Sequence, residues 1–299
     1  MPWCRPVAPQ RQAGRTIGEC CDVTVDDNFF VRFLGVRGSI PCPGPSTVRY
    51  GGNTSCLEVR CGGSSIILDA GTGIRELGDA LMKDGPVDTD ILFTHTHFDH
   101  IVGLPFFAPM YCADNAIRMW SGHLTPERSL EEVLCEMLVA PLFPIPMDIM
   151  AAQKDFNDFR CGEPLTLKCG AVVKSGLLNH PNRATGYRIE FDGHSICYVT
   201  DTEHIEGQLD QNILDLIAGA DIFIYDCTYT DEEYPNFKGW GHSTWQAGVA
   251  LADAANVGTF VVFHHEPTHD DAFMDTIAKQ AQAKRPGTVV AQEGVVLTP

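Results

Sequence analysis

Long apolar runs are missing from this sequence: nowhere do the roughly 18 consecutive apolar residues needed for a membrane-crossing helix occur. The opening residues, MPWCRPVAPQRQAGR, place Pro, Gln and Arg where a secretion signal needs an apolar stretch. Both absences point to a cytoplasmic protein with no membrane partner. Positive charge is scarce as well. Lys plus Arg number 21 against 39 Asp plus Glu, a net charge of −18, so the average field repels long polyanions and makes long nucleic acid an unfavoured partner. Paired-cysteine motifs are also lacking. The 12 cysteines are scattered with no CxxC spacing, in a chain too long to need disulfide staples, and read as mostly reduced core residues. Cys20 and Cys21, the one adjacent pair, carry no ligand spacing. No short-period repeat or low-complexity tract occurs.

What is present is a folded composition. A length of 299 residues with 44% hydrophobic and 20% charged residues can bury a full core, as two domains or one large layered domain. Residues 1–28 lack periodicity and read as a loosely ordered lead-in, and a single domain is expected over 29–299. FFVRFLGV, CLEVR and SSIILDA read as short strands punctuated by Gly and Pro. GIRELGDALMKDG follows with helical spacing, then the strand TDILFTH. Residues 104–165 mix a strand at IRMWS, a helix at PERSLEEVLCEMLV and the Pro- and Met-rich APLFPIPMDIM, and read as an insertion able to form a lid or pocket wall. Strands resume at AVVKSGLLN, TGYRIEF and SICYVTD. Helices at QNILDLIAGA, STWQAGVALADAAN and DDAFMDTIAKQAQAK then alternate with strands at DIFIYDC, TFVVFHH and TVVAQ. Strands first and alternation afterwards, in each half, predict two similar sheet-plus-helix halves packed sheet to sheet with helices outside, an α+β architecture.

The chemistry begins at His95-Thr96-His97-Phe98-Asp99-His100, directly after the apolar Ile91-Leu92-Phe93. Where a buried strand ends, the backbone leaves the sheet, and imidazoles and a carboxylate two to four residues apart can converge on one point. These residues match the HxHxDH motif, and the chain is similar to the metallo-β-lactamase superfamily over about residues 29–299. The resemblance implies a four-layer αββα sandwich with a two-metal site between the sheets. It also implies a lone His, a bridging Asp and a late His at further strand ends, where this sequence has His180, Asp201 and His264. Carried over, His95, His97 and His180 serve one metal and Asp99, His100 and His264 the other, with Asp201 bridging. His264 is preferred to His265 because it is the first His after its strand. Imidazole-rich donor sets suit Zn²⁺, with Mn²⁺ and Fe²⁺ as alternatives set by availability. Two divalent ions, two carboxylates and a bridging hydroxide leave a charge of about +1, suited to one small anionic group. A hydroxide shared by two metals is nucleophilic at neutral pH, which reads as hydrolysis. Electron transfer is disfavoured because His97 stands where a redox di-iron version of the fold carries Glu.

Substrate signals follow. Tyr225-Asp226-Cys227-Thr228 and, further on, Gly241-His242-Ser243-Thr244 resemble the phosphodiesterase branch, which includes ribonuclease Z and small cyclic-nucleotide phosphodiesterases. There an acidic residue holds a His at a helix start, which assigns Asp226 and His242, beside Asp99, to catalysis. An imidazolium kept charged by a carboxylate can protonate a leaving oxygen or bind a phosphate oxygen. The competing reading makes His242 an exposed residue ahead of a helix capped by Ser243. Asp69, ending a strand near the metal loop, is a candidate to bond a ligand His. Arg183 and Tyr187, past His180, could grip a phosphate and stack a base, and His269 is a further substrate candidate. His123, His194 and His204 sit in polar turns and read as solvated. Ribonuclease Z carries a basic, Gly-rich arm for transfer RNA, whereas the 104–165 segment is apolar and acidic. The leading expectation is therefore a dinuclear phosphodiesterase for a small cyclic nucleotide or similar diester. An RNA nuclease, a lactone or thioester hydrolase, and a metal-loaded regulatory protein without turnover are the alternatives. Dimers are common in the family resembled, so a homodimer is compatible with this reading.

Overall fold

Three antiparallel strands open the described chain, which in this computed structural model covers residues 28–299. Residues 1–27 of the lead-in, with Cys20 and Cys21, lie outside the described residues. β1 (Phe29–Gly35), β2 (Cys56–Cys61) and β3 (Ser64–Leu68) form a meander, largely buried, with Glu58 paired to Arg32 on the neighbouring strand and to Arg60 within its own. α1 (Ile74–Leu81), β4 (Asp88–Phe93), the single-turn α2 (Phe98–Ile101), β5 (Ala116–Ser121), α3 (Leu130–Met137) and β6 (Gln153–Asp158) complete the first half. α3 is shorter than the periodicity predicts, because Ser129 and Glu132 close a capping box there and fix its first turn. β4, β5 and β6 run parallel beside β3. Residues 104–165, read as an insertion, thus supply two strands of the sheet.

The second half repeats the plan in mirrored order. β7 (Leu165–Thr166), β8 (Val172–Leu178), β9 (Ala184–Phe191) and β10 (His194–Val199) are antiparallel. α4 (Gln211–Ile217), β11 (Ile222–Asp226), α5 (Trp245–Ala254), β12 (Thr259–Phe263), α6 (Asp271–Lys284) and β13 (Val289–Val290) follow, with β10 to β13 parallel in sequence order. β14 (Val296–Leu297) returns to pair with β1. Each sheet has seven strands, ordered β14-β1-β2-β3-β4-β5-β6 and β13-β12-β11-β10-β9-β8-β7.

One apolar cluster, with Phe33, Leu57, Ile66 and Leu68 meeting Ile189, Ile196, Ile224 and Phe263, fills the space between the sheets. Two more seat α1 and α3 on the first sheet and α4, α5 and α6 on the second. Each fully buried Leu, Ile or Phe contributes roughly 1.5–3 kcal/mol, so the four-layer arrangement is held chiefly by these three interfaces. The strand directions bring the C-terminal ends of β3, β4, β8, β10, β11 and β12 to two facing sheet edges, the position where ligand sites form in open sheets.

Candidate metal centre

Each of those strand ends delivers a polar residue. Asp69 follows β3, His95 and His97 follow β4, and α2 turns Asp99 and His100 back toward them. His180, Asp201, Asp226 and His264 leave β8, β10, β11 and β12. Asp69, Asp201 and His264 have φ of 60°, 57° and 63°, a left-handed backbone that L residues adopt only at a cost of order 1 kcal/mol. Three such residues at one site mean that its surroundings fix the chain there against local preference.

The donors form two adjoining groups, His95, His97 and His180, and Asp99, His100, Asp201 and His264, with ligand atoms in each group within 4.8 Å of one another. Asp201 stands between them. Its Oδ1 lies 3.8 Å from His95 Nε2 and 3.9 Å from His180 Nε2, and its Oδ2 lies 3.2 Å from His100 Nε2 and 3.3 Å from His264 Nε2. Asp99 Oδ2 is 3.2 Å from His100 Nε2 and 3.5 Å from His264 Nε2. The Nε2 atoms of His95, His100 and His264 are buried with no hydrogen-bond partner, an arrangement that is costly unless a cation takes the lone pairs. Burial, with His100 next, holds His95 well below the usual imidazole range, and burial likewise lowers His97 and His180. Neutral rings are the form that ligates. These seven side chains therefore fit a pair of divalent ions, one per group, with Asp201 presenting an oxygen to each.

The far nitrogens are tied down as ligand imidazoles require. His100 Nδ1 is 2.8 Å from Asp69 Oδ2, and Asp69 also accepts from Thr94 N at 2.7 Å and Tyr198 Oη at 2.9 Å. His180 Nδ1 meets Gly241 O at 2.8 Å, and His264 Nδ1 meets Thr228 Oγ1 at 3.0 Å. Asp99 Oδ2 accepts from Ser39 N at 2.7 Å. His265, by contrast, turns away to Ala291 O at 2.8 Å.

Beside the second group, His242 Nδ1 is 2.9 Å from Asp226 Oδ2. Asp226 also accepts from Thr228 N, Thr228 Oγ1 and Thr202 N, so both its oxygens are occupied and it serves as an anchor for the ring. Burial works against a charged His242, but the Asp226 carboxylate, followed by Asp201 and Asp99, outweighs it and holds the ring up to about 9. The helix behind it is capped by Thr244, and His242 is 11% exposed.

Other expectations need correction. Tyr187 cannot stack a base, because it is fully buried on β9 between the sheets and its hydroxyl donates to Phe93 O at 2.6 Å. His269 is buried, bonded to Glu233 at 2.8 Å and stacked on Phe273, so its ring is occupied within the fold. His123 is not solvated: it is buried between Ser121 and Thr96, and burial pulls it down to about 3. His204 is half-buried against Tyr234 and Ser243, whereas His194 is exposed as expected. Arg183 is partly exposed and paired with Glu127 at 2.7 Å. Two residues that the sequence did not single out organise the site. Buried Arg37 ties together Gly51 O, Glu266 O and His269 O. The Glu203 carboxylate accepts from Gly239 N and Gly241 N, fixing the turn whose carbonyl holds His180. Only the fold brings their partners to them.

An αββα sandwich with paired donor groups at the strand ends defines the class, a metal-dependent hydrolase. Residues 64–265 match the beta-lactamase superfamily domain, and the chain belongs to that superfamily. Ribonuclease Z of Bradyrhizobium sp. (strain ORS 278) is 25% identical over 316 residues, covering 89% of this chain and 98% of that protein. The metallo-beta-lactamase fold protein YhfI of Bacillus subtilis superimposes with a TM-score of 0.68 at 18% identity, covering 91% of this chain and 100% of that one. A diphosphatase of the PhnP family gives 0.66 at 19% identity, covering 91% and 98%. These two structures share the fold.

Proposed function

We propose that the protein hydrolyses a small phosphodiester, a cyclic nucleotide or similar diester, in the cytoplasm. The observation that carries this reading is the Asp226–His242 pair at 2.9 Å beside the seven donors, since only a poor leaving group such as an alkoxide needs a proton donor there. His95, His97 and His180 would hold one ion, Asp99, His100 and His264 the other, and Asp201 both; Zn²⁺ suits these donors, and Mn²⁺ or Fe²⁺ is an alternative. Two divalent ions there would supply Lewis acidity and acidify water to give a nucleophile at neutral pH. His242 Nε2 gives its proton to the departing oxygen while Asp226 keeps Nδ1–H oriented. Asp99 is held by Ser39 N for its part in the site. Arg183, partly exposed and three residues past His180, binds a non-bridging phosphate oxygen once it leaves Glu127, its planar donors matching phosphate better than a Lys would.

The ribonuclease Z relative favours a second reading, an RNA-processing nuclease, and weighs against the expectation that long nucleic acid is disfavoured. The net charge of −18 supports the small substrate, because each added phosphate near the surface meets repulsion that salt screens. Competition between a cyclic mononucleotide and a short RNA at low and moderate salt tests the choice. The small diester should win at low salt, with the discrimination relaxing as salt rises. A preference for RNA that weakens with salt would establish the nuclease instead.

A further inference from the structure

We infer that Trp240 is a stacking platform for a planar aromatic ring on the substrate, so that the diester hydrolysed is that of a nucleoside or another aryl-bearing alcohol; this rests on the phosphodiesterase reading above. Trp240 is 62% exposed, an unusual placement for a large ring, and it is held there by design of the turn. Gly239 and Gly241 flank it with φ of 88° and 85°, backbone values that suit glycine on both sides. Glu203 accepts from Gly239 N and Gly241 N, each at 2.8 Å, and Trp240 N donates to Phe237 O at 3.1 Å. A Cβ on Gly241 would lie 2.3 Å from His180 Nδ1, so the turn is pressed against a metal-centre imidazole.

Aromatic contacts run from the catalytic residue to this ring. Tyr229 stands edge-on to His242 with centroids 6.1 Å apart and stacks on Phe237 at 4.4 Å and 5°. Phe237 in turn meets Trp240 edge-on at 5.5 Å. Trp240 lies two residues from His242, within about 7 Å along the backbone, the scale of the separation between a nucleotide's phosphate and its base. Phe98, 72% exposed between His97 and Asp99, is a second open ring on a donor-bearing segment. An exposed indole on a rigid turn offers a large face at little entropy cost, and base stacking on an aromatic side chain changes binding by about 5- to 100-fold.

The test compares adenosine 2′,3′-cyclic phosphate with the base-free methyl ribofuranoside 2,3-cyclic phosphate. Trp240→Ala should lower the ratio of kcat/KM for the two by about 5- to 100-fold, mainly through KM, and Trp240→Phe should restore part of it. Adenosine 5′-monophosphate should quench tryptophan emission in the parent protein, and the quenching should be largely lost in Trp240→Phe, which keeps an aromatic ring in the turn. An unmoved ratio with undiminished quenching in the variants overturns the inference, as does an unmoved ratio accompanied by a change of oligomeric state, which would make Trp240 a contact between copies. If no diester is turned over while Trp240-dependent quenching persists, the base site stands and the phosphodiesterase reading falls.

Discussion

Gly38→Ala tests the centre through a residue that ligates nothing. A Cβ at Gly38 would lie 2.4 Å from His264 Cε1 and 2.5 Å from its Nδ1, about 1 Å inside ordinary contact between such atoms. Gly38 is not among the residues of positive φ, so alanine meets no backbone penalty and the clash is with the ring alone. That ring has nowhere to go. Its Nδ1 is bonded to Thr228 Oγ1 at 3.0 Å, and it stacks on His242 at 5.0 Å and His100 at 5.6 Å. Displacing His264 by about 1 Å takes a donor from the second group, and misplacement on that scale costs on the order of 10²-fold in rate. The variant should fold, retain one metal per chain tightly and the second weakly, and lose about 10²-fold in turnover of bis-p-nitrophenyl phosphate. Gly44→Ala, where a Cβ meets nothing within 4 Å, is the matched control. Two tightly held metals with parental turnover in Gly38→Ala would refute the placement of His264 in the centre.

His242→Ala should lower kcat on a diester with an alkoxide leaving group by about 10²- to 10⁴-fold with metals retained, and by less on p-nitrophenyl esters, whose leaving group needs no proton. An equal loss on both would make His242 a phosphate-binding group. Asp69→Asn replaces an acceptor of three donors, His100, Thr94 and Tyr198, with an amide that cannot satisfy all of them. Metal affinity should fall about 10- to 100-fold, read by titration against a chelator, with the fold retained by circular dichroism.

The sequence announces the frame wherever burial writes an apolar run. β4, β11 and β12 are legible as Ile91-Leu92-Phe93, Ile222-Phe223-Ile224 and Phe260-Val261-Val262 because parallel strands covered on both faces have no polar side. β6 is not legible, since QKDFND is an edge strand whose charges guard an open sheet edge and hide its period. The donors are legible because ligands at strand ends recur in a fixed local pattern. The roles of Tyr187, His123 and His269 are not, because exposure is a property of the fold: Tyr187 belongs to an alternating strand whose face only the opposing sheet determines. Glu203 and Arg37 work through backbone groups of distant segments, and no spacing in the sequence records that.

Asp201 is the most direct test of the central claim, because its two oxygens lie 3.8 Å from His95 and 3.2 Å from His100 and so reach both donor groups. Metal-stripped protein and the Asp201→Ala variant should be titrated with Zn²⁺ while bound metal and diester hydrolysis are followed together. The parent should bind two equivalents, with activity rising as they bind, and the variant should lose occupancy at both positions and with it activity. Full metal content and unaltered turnover in Asp201→Ala, or turnover by stripped parent protein in excess chelator, would contradict the account.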